Sequence, residues 1–200
     1  FHRPFFAERP AAELNGWFQA YRATNLRLFT CPRPTVAAIN GHVWAGGLIT
    51  ALCCDIRLAA DGKTEFALPG ASIGMAVPAV FVETIRHAVG SATANEMLLG
   101  GKVYDVEAAL QRRLIHEAVP GEELIERAVA AAGKVVPDCF AAYGYAKQAL
   151  QGRTLAAIEA AEALDNAGLA EAMSAPGSLR AHARRYRELK GKEPHWTVPD

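Results

Sequence analysis

An α/β fold is predicted for this chain, with strands in its front part and only helices in its tail. Thr35–Ile39 is a short, partly β-branched apolar run between a proline and an Asn-Gly pair, which is typical of a buried strand. After Gly121 the alanine-rich segments have helical spacing, and glycine or proline marks most of their boundaries. We therefore predict a core domain at residues 1–135 and a helical region at residues 136–200.

The first two segments are assigned from the spacing of their apolar residues. Phe1–Glu8 is aromatic and basic and is interpreted as irregular. Ala11–Phe29 has apolar residues at helical intervals, with arginines on the opposite face. The aromatic stripe of this helix fits a place in the core and fits the wall of a ligand pocket equally well.

The middle of the chain is predicted as helix, strand and helix. Leu48–Ala60 is almost entirely apolar, as in a helix that is buried on most sides. Phe66–Leu68 is interpreted as a strand. Pro78 fits the first turn of the next helix, where its missing N–H costs little, and this helix is expected to end near Val89-Gly90.

The tail is predicted as a series of helices. Asp105 is a natural N-cap for a helix at Val106–Arg113. The remaining predicted helices lie at Thr93–Leu99, Glu122–Val135, Cys139–Leu150, Leu155–Met173 and Leu179–Leu189.

Composition excludes several classes of protein. The 200 residues are 51% hydrophobic, and 21 basic residues balance 21 acidic ones, so the formal net charge is zero. Nucleic-acid surfaces normally show a basic excess, so no nucleic-acid partner is expected. The apolar runs are too short to span a bilayer, and none has the order of a secretory signal. The four cysteines lack metal-ligand spacing, so we expect a cytoplasmic protein with no metal and no membrane association.

Two glycines follow the predicted strand and begin the next helix. At a helix start the first N–H groups have no intrahelical partner, and the helix dipole is positive. At Gly46 and Gly47 the missing side chains let another molecule approach these amides closely. Such a site can hold a carbonyl oxygen and the negative charge that develops on it. On the glycine pair alone, a tight connection with glycines kept for packing is the simpler interpretation.

A longer series of motifs favours the functional interpretation. They are Ala38-Ile39-Asn40-Gly41-His42, Ala45-Gly46-Gly47, Cys54-Asp55-Ile56-Arg57, Phe66-x-x-Pro69, Ile73-Gly74, Pro78, Ala88-Val89-Gly90 and Glu96-Met97-Leu98-Leu99-x-Gly101. In this order they resemble the enoyl-CoA hydratase/isomerase (crotonase) superfamily, from about Trp17 to the last helix. The resemblance implies a crotonase-like β/α spiral core, whose N-terminal strands fall before Phe1, and a helical C-terminal region used for trimerisation.

The resemblance also implies a chemistry and a site. Members of the family stabilise the enolate of an acyl-CoA thioester, and coenzyme A is part of the substrate, so no separate cofactor is expected. Gly46 matches the position whose backbone N–H binds the thioester oxygen, and the second donor would precede Phe1. Ala45, Gly46, Gly70 and Pro78 are the substrate-binding residues that the motifs carry over.

Three positions depart from the family pattern. Ile49 and Gly70 stand where hydratases carry glutamates, and Ala79 stands where an isomerase variant carries its acid/base glutamate. An oxyanion hole polarises a thioester but moves no proton. The missing carboxylates therefore put ordinary hydration in doubt.

Glu83 is the candidate replacement as the catalytic acid/base. It lies one helical turn beyond Ala79, and residues four apart share a helix face. Its apolar neighbours would desolvate the carboxylate and make it more basic. Pairing with Arg86 or His87 on a solvated face is an equal alternative. Glu65 and Asp55 are weaker candidates for the acid/base, and capping or bracing the core is the better interpretation of Asp55.

Two functions from different classes follow. The first is an enzyme that acts on an acyl-CoA, with an isomerase-type double-bond shift favoured over hydration because a single base suffices. The alternative is a catalytically silent acyl-CoA-binding or assembly protein. A homotrimer or a dimer of trimers is expected, because the helices after Pro137 have apolar stripes that one subunit can hardly bury. The basic run of the last helix fits a solvated face or a contact with coenzyme A phosphates.

Overall fold

The structure, a computed structural model, describes residues 11–135, 137–164, 168–194 and 198. Its helices are α1 (Ala11–Phe29), α2 (Gly46–Leu52), α3 (Ala79–Leu98), α4 (Val106–Gln111), α5 (Leu124–Ala132), α6 (Phe140–Leu164), α7 (Ala170–Ser174) and α8 (Pro176–Lys190). Its strands are β1 (Val36–Ile39), β2 (Val43–Trp44), β3 (Ile56–Ala60), β4 (Phe66–Ala67), β5 (Val103–Tyr104) and β6 (Glu117–Val119). Short 3-10 turns occupy Ala71–Ile73 and Pro137–Cys139. The irregular segment predicted at Phe1–Glu8 lies outside the described residues.

The strands form two small sheets in the described part of the chain. In the first, β3 lies between β1 and β6 and runs parallel to both, with Val36 opposite Ile56. In the second, β4 pairs in parallel with β2 and in antiparallel with β5. Helix α5 packs against β1 and β3, so the parallel sheet is covered as parallel sheets usually are. The second sheet holds the start of α2 in place.

The main core lies where α2 and α3 pack together above the second sheet. Leu48 of α2, Phe66 of β4 and Ile85 of α3 are completely buried, as are Met97 and Tyr104. Burial of one large apolar side chain contributes about 1.5–3 kcal/mol, so this cluster fixes α2 firmly against β4. The front part of the chain therefore offers a rigid frame for any site at the start of α2.

The prediction of a helix at Leu48–Ala60 is wrong for the second half of this segment. Helix α2 ends at Leu52, and Ile56–Ala60 forms β3, the central strand of the parallel sheet. A strand buried on both faces is a continuous apolar run, which periodicity alone does not distinguish from a buried helix. The Asp55 carboxylate accepts hydrogen bonds from the Thr35 N–H and hydroxyl, at 2.9 and 2.8 Å, and so holds the start of β3 beside β1.

Two predicted helix boundaries had different outcomes. The predicted end near Val89-Gly90 is confirmed, because Gly90 interrupts α3 with a φ of 78° and a ψ of 163°. The predicted break between Leu150 and Leu155 is wrong, since α6 continues through Gly152. A glycine inside a helix costs only about 1 kcal/mol relative to alanine. Neighbouring contacts of α6, such as the bond from buried Gln151 to the Phe29 carbonyl oxygen, offset that cost.

Other local signals were reliable. The helix at Ala11–Phe29 and the N-cap at Asp105 are confirmed, and the Asp105 carboxylate accepts a hydrogen bond from the Ala108 N–H at 2.8 Å. None of the described helices is long and apolar enough to cross a membrane. Helix α8 packs against the turn Ala71–Ile73, so close that a Cβ atom on Gly74 would lie 2.5 Å from the Ser178 carbonyl oxygen.

Candidate active site

A small apolar cavity lies at the N-terminal end of α2. Its volume is about 60 Å³, and its walls come from α1, α2, the segment 68–78, the start of α3 and α7. The four residues predicted to bind substrate all line it, namely Ala45, Gly46, Gly70 and Pro78. The structure thus brings together side chains and amides that are more than 30 positions apart in sequence.

The start of α2 is held by β4 and by an unusual backbone conformation. The Ala45 N–H donates to the Ala67 carbonyl oxygen at 2.9 Å, which extends the pairing of β2 with β4. Ala45 itself has a φ of 49° and a ψ of −120°, a sparsely populated conformation that typically costs about 1–3 kcal/mol. The chain turns there directly into α2. The first N–H groups of this helix, from Gly46 onwards, have no partner within it.

Tyr21 of α1 reaches this turn with its hydroxyl group. It donates a hydrogen bond to the Gly46 carbonyl oxygen at 2.7 Å and lies 3.5 Å from the Thr50 Oγ1 atom. Its ring stacks on Trp17, with centroids 5.2 Å apart and planes 7° apart, and it also contacts Phe81. Burial raises the pKa of the Tyr21 hydroxyl.

Tyr21 belongs to the aromatic stripe of Ala11–Phe29, which the sequence assigns to the core or to a pocket wall without distinguishing its hydroxyl group. One signal could have singled it out, because a buried tyrosine hydroxyl usually finds a hydrogen-bond partner. Met173 of α7 also lines the cavity and was not predicted, because it lies more than 90 positions after Pro78 in the chain. No local pattern predicts that contact.

The two positions where hydratases carry glutamates both line the cavity. At Ile49 the side chain is apolar and buried. At Gly70 there is no room for a side chain, because a Cβ atom would lie 2.9 Å from the Val77 side chain and 3.0 Å from the Met75 carbonyl oxygen. The segment 68–78 has therefore closed over the space that a glutamate at Gly70 would need.

Glu83 lies outside the described lining of this cavity. Its side chain is 16% exposed, and its Oε1 atom accepts a hydrogen bond from the Arg86 Nη1 atom at 2.7 Å. His87 instead contacts Thr154, with 3.0 Å between the Nδ1 and Oγ1 atoms. The ion pair with Arg86 that the sequence allowed is thus present. The role of Glu83 in proton transfer stays a prediction.

A second, more polar cavity of about 350 Å³ lies at the other end of α2. There the Asp55 carboxylate lies 2.8 Å from the Lys147 Nζ atom of α6, in addition to its bonds from Thr35. Burial raises the pKa of the neighbouring Cys53 thiol to about 12, so this thiol stays protonated and unreactive near neutral pH. Asp55 thus braces the core, as expected from the sequence.

Arg57 is buried beside this cavity and binds backbone oxygen atoms. Its guanidinium donates to the carbonyl oxygen atoms of Leu114, Cys54 and Arg113, at 2.7, 2.8 and 3.3 Å. Burial lowers the pKa of Arg57 to about 10, which still leaves it charged at neutral pH. The hydrogen bonds of the Arg57 guanidinium are thus made to backbone oxygen atoms of the protein itself, so we interpret Arg57 as a structural residue. Among the described residues, no group of His, Cys, Asp and Glu side chains could hold a metal ion.

Comparison with known proteins gives a consistent result. Residues 7–197 match the sequence model of the family described as Enoyl-CoA hydratase/isomerase. The chain is 30% identical to the 2,3-dehydroadipyl-CoA hydratase of Escherichia coli (strain K12), over 67% of this chain and 52% of that protein. It is 32% identical to the mitochondrial enoyl-CoA hydratase of Pongo abelii, over 59% of this chain and 40% of that protein. The chain therefore spans only about half the length of these curated relatives.

A solved structure with high similarity is human mitochondrial delta3-delta2-enoyl-CoA isomerase. The two folds superimpose with a TM-score of 0.82 and 25% identity. The match covers 92% of this chain and 72% of that chain. The similarity of the fold thus extends over most of this chain.

Proposed function

Because this chain belongs to the enoyl-CoA hydratase/isomerase family, we propose that it binds an acyl-CoA thioester at the start of α2 and shifts a double bond in the acyl chain. The thioester oxygen accepts a hydrogen bond from the Gly46 N–H, and the acyl chain lies in the apolar cavity. One preorganised donor of this kind typically contributes about 3–4 kcal/mol to stabilising the transition state. The observation that carries the proposal is that Gly46 lines the cavity together with Ala45, Gly70 and Pro78.

Several features favour a double-bond shift over hydration. Hydration needs groups that activate water and protonate the α-carbon, and the family uses two glutamates for these tasks. Here one position is Ile49 and the other is closed at Gly70. A double-bond shift needs one base, which removes a proton from the α-carbon and returns it to the γ-carbon, so no atom is gained or lost.

We assign the base to Glu83, whose carboxylate pairs with Arg86. To reach the substrate, this side chain must leave Arg86 and turn toward the cavity. Catalytic hydrogen bonds are often long or poorly aligned without substrate and become shorter only in the complex. The ion pair is therefore compatible with a catalytic role of Glu83.

Product analysis tests this function directly. The protein is incubated with 2-enoyl-CoA and 3-enoyl-CoA thioesters, and the products are identified by mass spectrometry and NMR spectroscopy. We expect the two thioesters to interconvert without change of mass in ordinary water. A product heavier by one water molecule would contradict the double-bond shift and indicate a hydratase.

One observation favours a second candidate, a catalytically silent acyl-CoA-binding protein. None of the cavity-lining side chains that the structure describes carries a carboxylate. Tight binding of both thioesters with no turnover would support this candidate. The same incubation therefore separates the two functions.

We further propose that the protein assembles as a homotrimer or a dimer of trimers. Tyr145 and Leu150 of α6 are 76% and 74% exposed, and Ile125 and Val129 form an exposed apolar pair on α5. Apolar surface of this kind marks association sites. Light scattering at micromolar concentration should give the mass of three or six chains, and a Leu150→Glu variant should shift it toward the monomer. A monomeric parent protein would contradict the proposal.

A further inference from the structure

We propose that Tyr21 is a positioning residue that fixes the Gly46–Gly47 peptide and thereby aims the amides at the start of α2. The inference rests on the proposed function, in which the Gly46 N–H at this helix start binds the thioester oxygen. The direct observation is the 2.7 Å hydrogen bond from the Tyr21 hydroxyl to the Gly46 carbonyl oxygen. Because a peptide unit is planar, a bond to this oxygen fixes the direction of the Gly47 N–H. It also restrains Gly46 itself, whose own N–H is the proposed donor to the thioester oxygen.

The start of α2 needs such an anchor more than an ordinary helix does. Glycine has greater backbone freedom than any other residue type, and α2 begins with two glycines, Gly46 and Gly47. They directly follow Ala45, whose backbone conformation is unusual. In an α-helix the Gly46 carbonyl oxygen also accepts from the amide four residues later, and it has a second lone pair that remains available. The Tyr21 hydroxyl occupies that second position. The first turn of α2 is therefore held from outside the helix.

Tyr21 is itself held rigidly enough for this task. Its ring is stacked on Trp17 and contacts Phe81 across the cavity wall. Its own carbonyl oxygen accepts a hydrogen bond from the Asn25 Nδ2 atom at 2.9 Å, within the buried part of α1. In a site of low polarity the bond from its hydroxyl is electrostatically stronger than in water. The position of α1 is thus transmitted to the amides of α2.

The geometry also separates positioning from proton transfer. The Tyr21 hydroxyl donates its hydrogen to Gly46, so it has no proton directed at a substrate. Burial raises its pKa, which keeps the phenol neutral near pH 7 and makes it unsuitable as a base. Of the lining side chains within the described ranges, Tyr21 alone carries a hydroxyl, amide or charged group. The Tyr21 hydroxyl therefore binds a peptide oxygen and is not assigned the role of the acid/base.

A Tyr21→Phe variant tests the proposal first without any ligand. It keeps the ring and removes the hydroxyl. Amide hydrogen exchange is then followed by NMR spectroscopy at Ile49 and Thr50, whose N–H groups close the first turn of α2. We expect exchange about 3- to 10-fold faster than in the parent, as the loss of one hydrogen bond implies. Tyr145→Phe is the matched control, because Tyr145 is not among the cavity-lining residues and the substitution keeps its ring on the surface of α6. Parental exchange rates in Tyr21→Phe would overturn the proposal.

A second measurement follows the bound thioester. The parent and Tyr21→Phe are each saturated with a carbon-13-labelled, saturated acyl-CoA, and the carbonyl stretch is recorded by infrared spectroscopy. We expect a clear shift to lower wavenumber in the parent and a smaller shift in the variant. Turnover should fall with KM nearly unchanged and with the same pH profile. A changed pH profile with parental exchange rates would assign proton transfer to Tyr21 and overturn positioning.

The two measurements also separate this proposal from the proposed function. A parent protein that binds no acyl-CoA overturns the proposed function, whereas the exchange comparison still decides whether Tyr21 holds this peptide. Thr50→Val is a second variant that removes the 3.5 Å neighbour of the hydroxyl and leaves the bond to Gly46 intact. Its exchange rates should match the parent. Rates as fast as in Tyr21→Phe would place the anchor at Thr50 and overturn the assignment.

Discussion

A Glu83→Gln variant should turn over acyl-CoA about 10²–10⁴-fold more slowly than the parent, because general acid–base catalysis contributes about that factor. Glutamine keeps the shape of the side chain and its hydrogen bond to Arg86, and it removes only the proton-accepting carboxylate. Binding of acyl-CoA should therefore be unchanged. Steady-state kinetics with a 3-enoyl-CoA and calorimetric titration with a saturated acyl-CoA measure the two quantities separately.

The control for this prediction is the other half of the ion pair. In an Arg86→Gln variant the Glu83 carboxylate loses its 2.7 Å partner and becomes free to turn toward the cavity. Turnover should then equal or exceed that of the parent. If both variants show the same small change, the pair has only a structural role and the base lies elsewhere. Undetectable turnover in the parent, with acyl-CoA bound, would support the silent-binding protein instead.

The largest loss of stability is expected for Lys147→Met. The Lys147 side chain is 7% exposed and the Asp55 side chain 20%, with 2.8 Å between the Nζ and Oδ1 atoms. Removing one partner of such a pair leaves an uncompensated charge in a poorly hydrated site, which typically costs about 3–5 kcal/mol. We expect the free energy of unfolding, measured by urea titration, to fall by about that amount. The bonds from Thr35 alone do not compensate the Asp55 charge.

Lys102→Met is the matched control for burial. Lys102 and Glu96 are as close as the first pair, at 2.7 Å, but their side chains are 47% and 27% exposed. Exposed pairs are screened by water, so this substitution should leave the free energy of unfolding nearly unchanged. Equal losses in the two variants would show that burial does not decide the strength of these pairs. Adding Asp55→Asn to Lys147→Met should recover part of the lost stability.

Local signals in the sequence were sufficient for some elements and insufficient for others. The strand near Thr35–Ile39 and the cap at Asp105 depend on short patterns that act within a few residues, and both predictions are confirmed. Strand β3 was predicted as helix because both of its faces are buried, which removes the alternation that identifies a strand. The two-residue strands β2 and β5 are too short to have any period.

In the candidate site, too, the features that depend on local motifs were predicted, and those that depend on packing were not. The motifs placed Ala45, Gly46, Gly70 and Pro78 in one site, and the structure gathers them around one cavity. They could be found because family motifs are contiguous in sequence. The bond from Tyr21 to Gly46 joins two helices, and the closure of the space at Gly70 depends on Val77. Both features arise from packing, which no single segment of sequence specifies.

The contact between Gly74 and Ser178 has a consequence for how the protein folds. It joins the wall of the cavity to a helix about a hundred residues later in the chain, and contacts of such long separation form slowly because a large loop must first be closed. During synthesis the earlier segments emerge first, so the cavity remains uncovered until α7 and α8 have been made. The apolar walls of the cavity are therefore exposed in the nascent chain. Substitutions that weaken the docking of α8 should lower the yield of soluble protein before they affect catalysis.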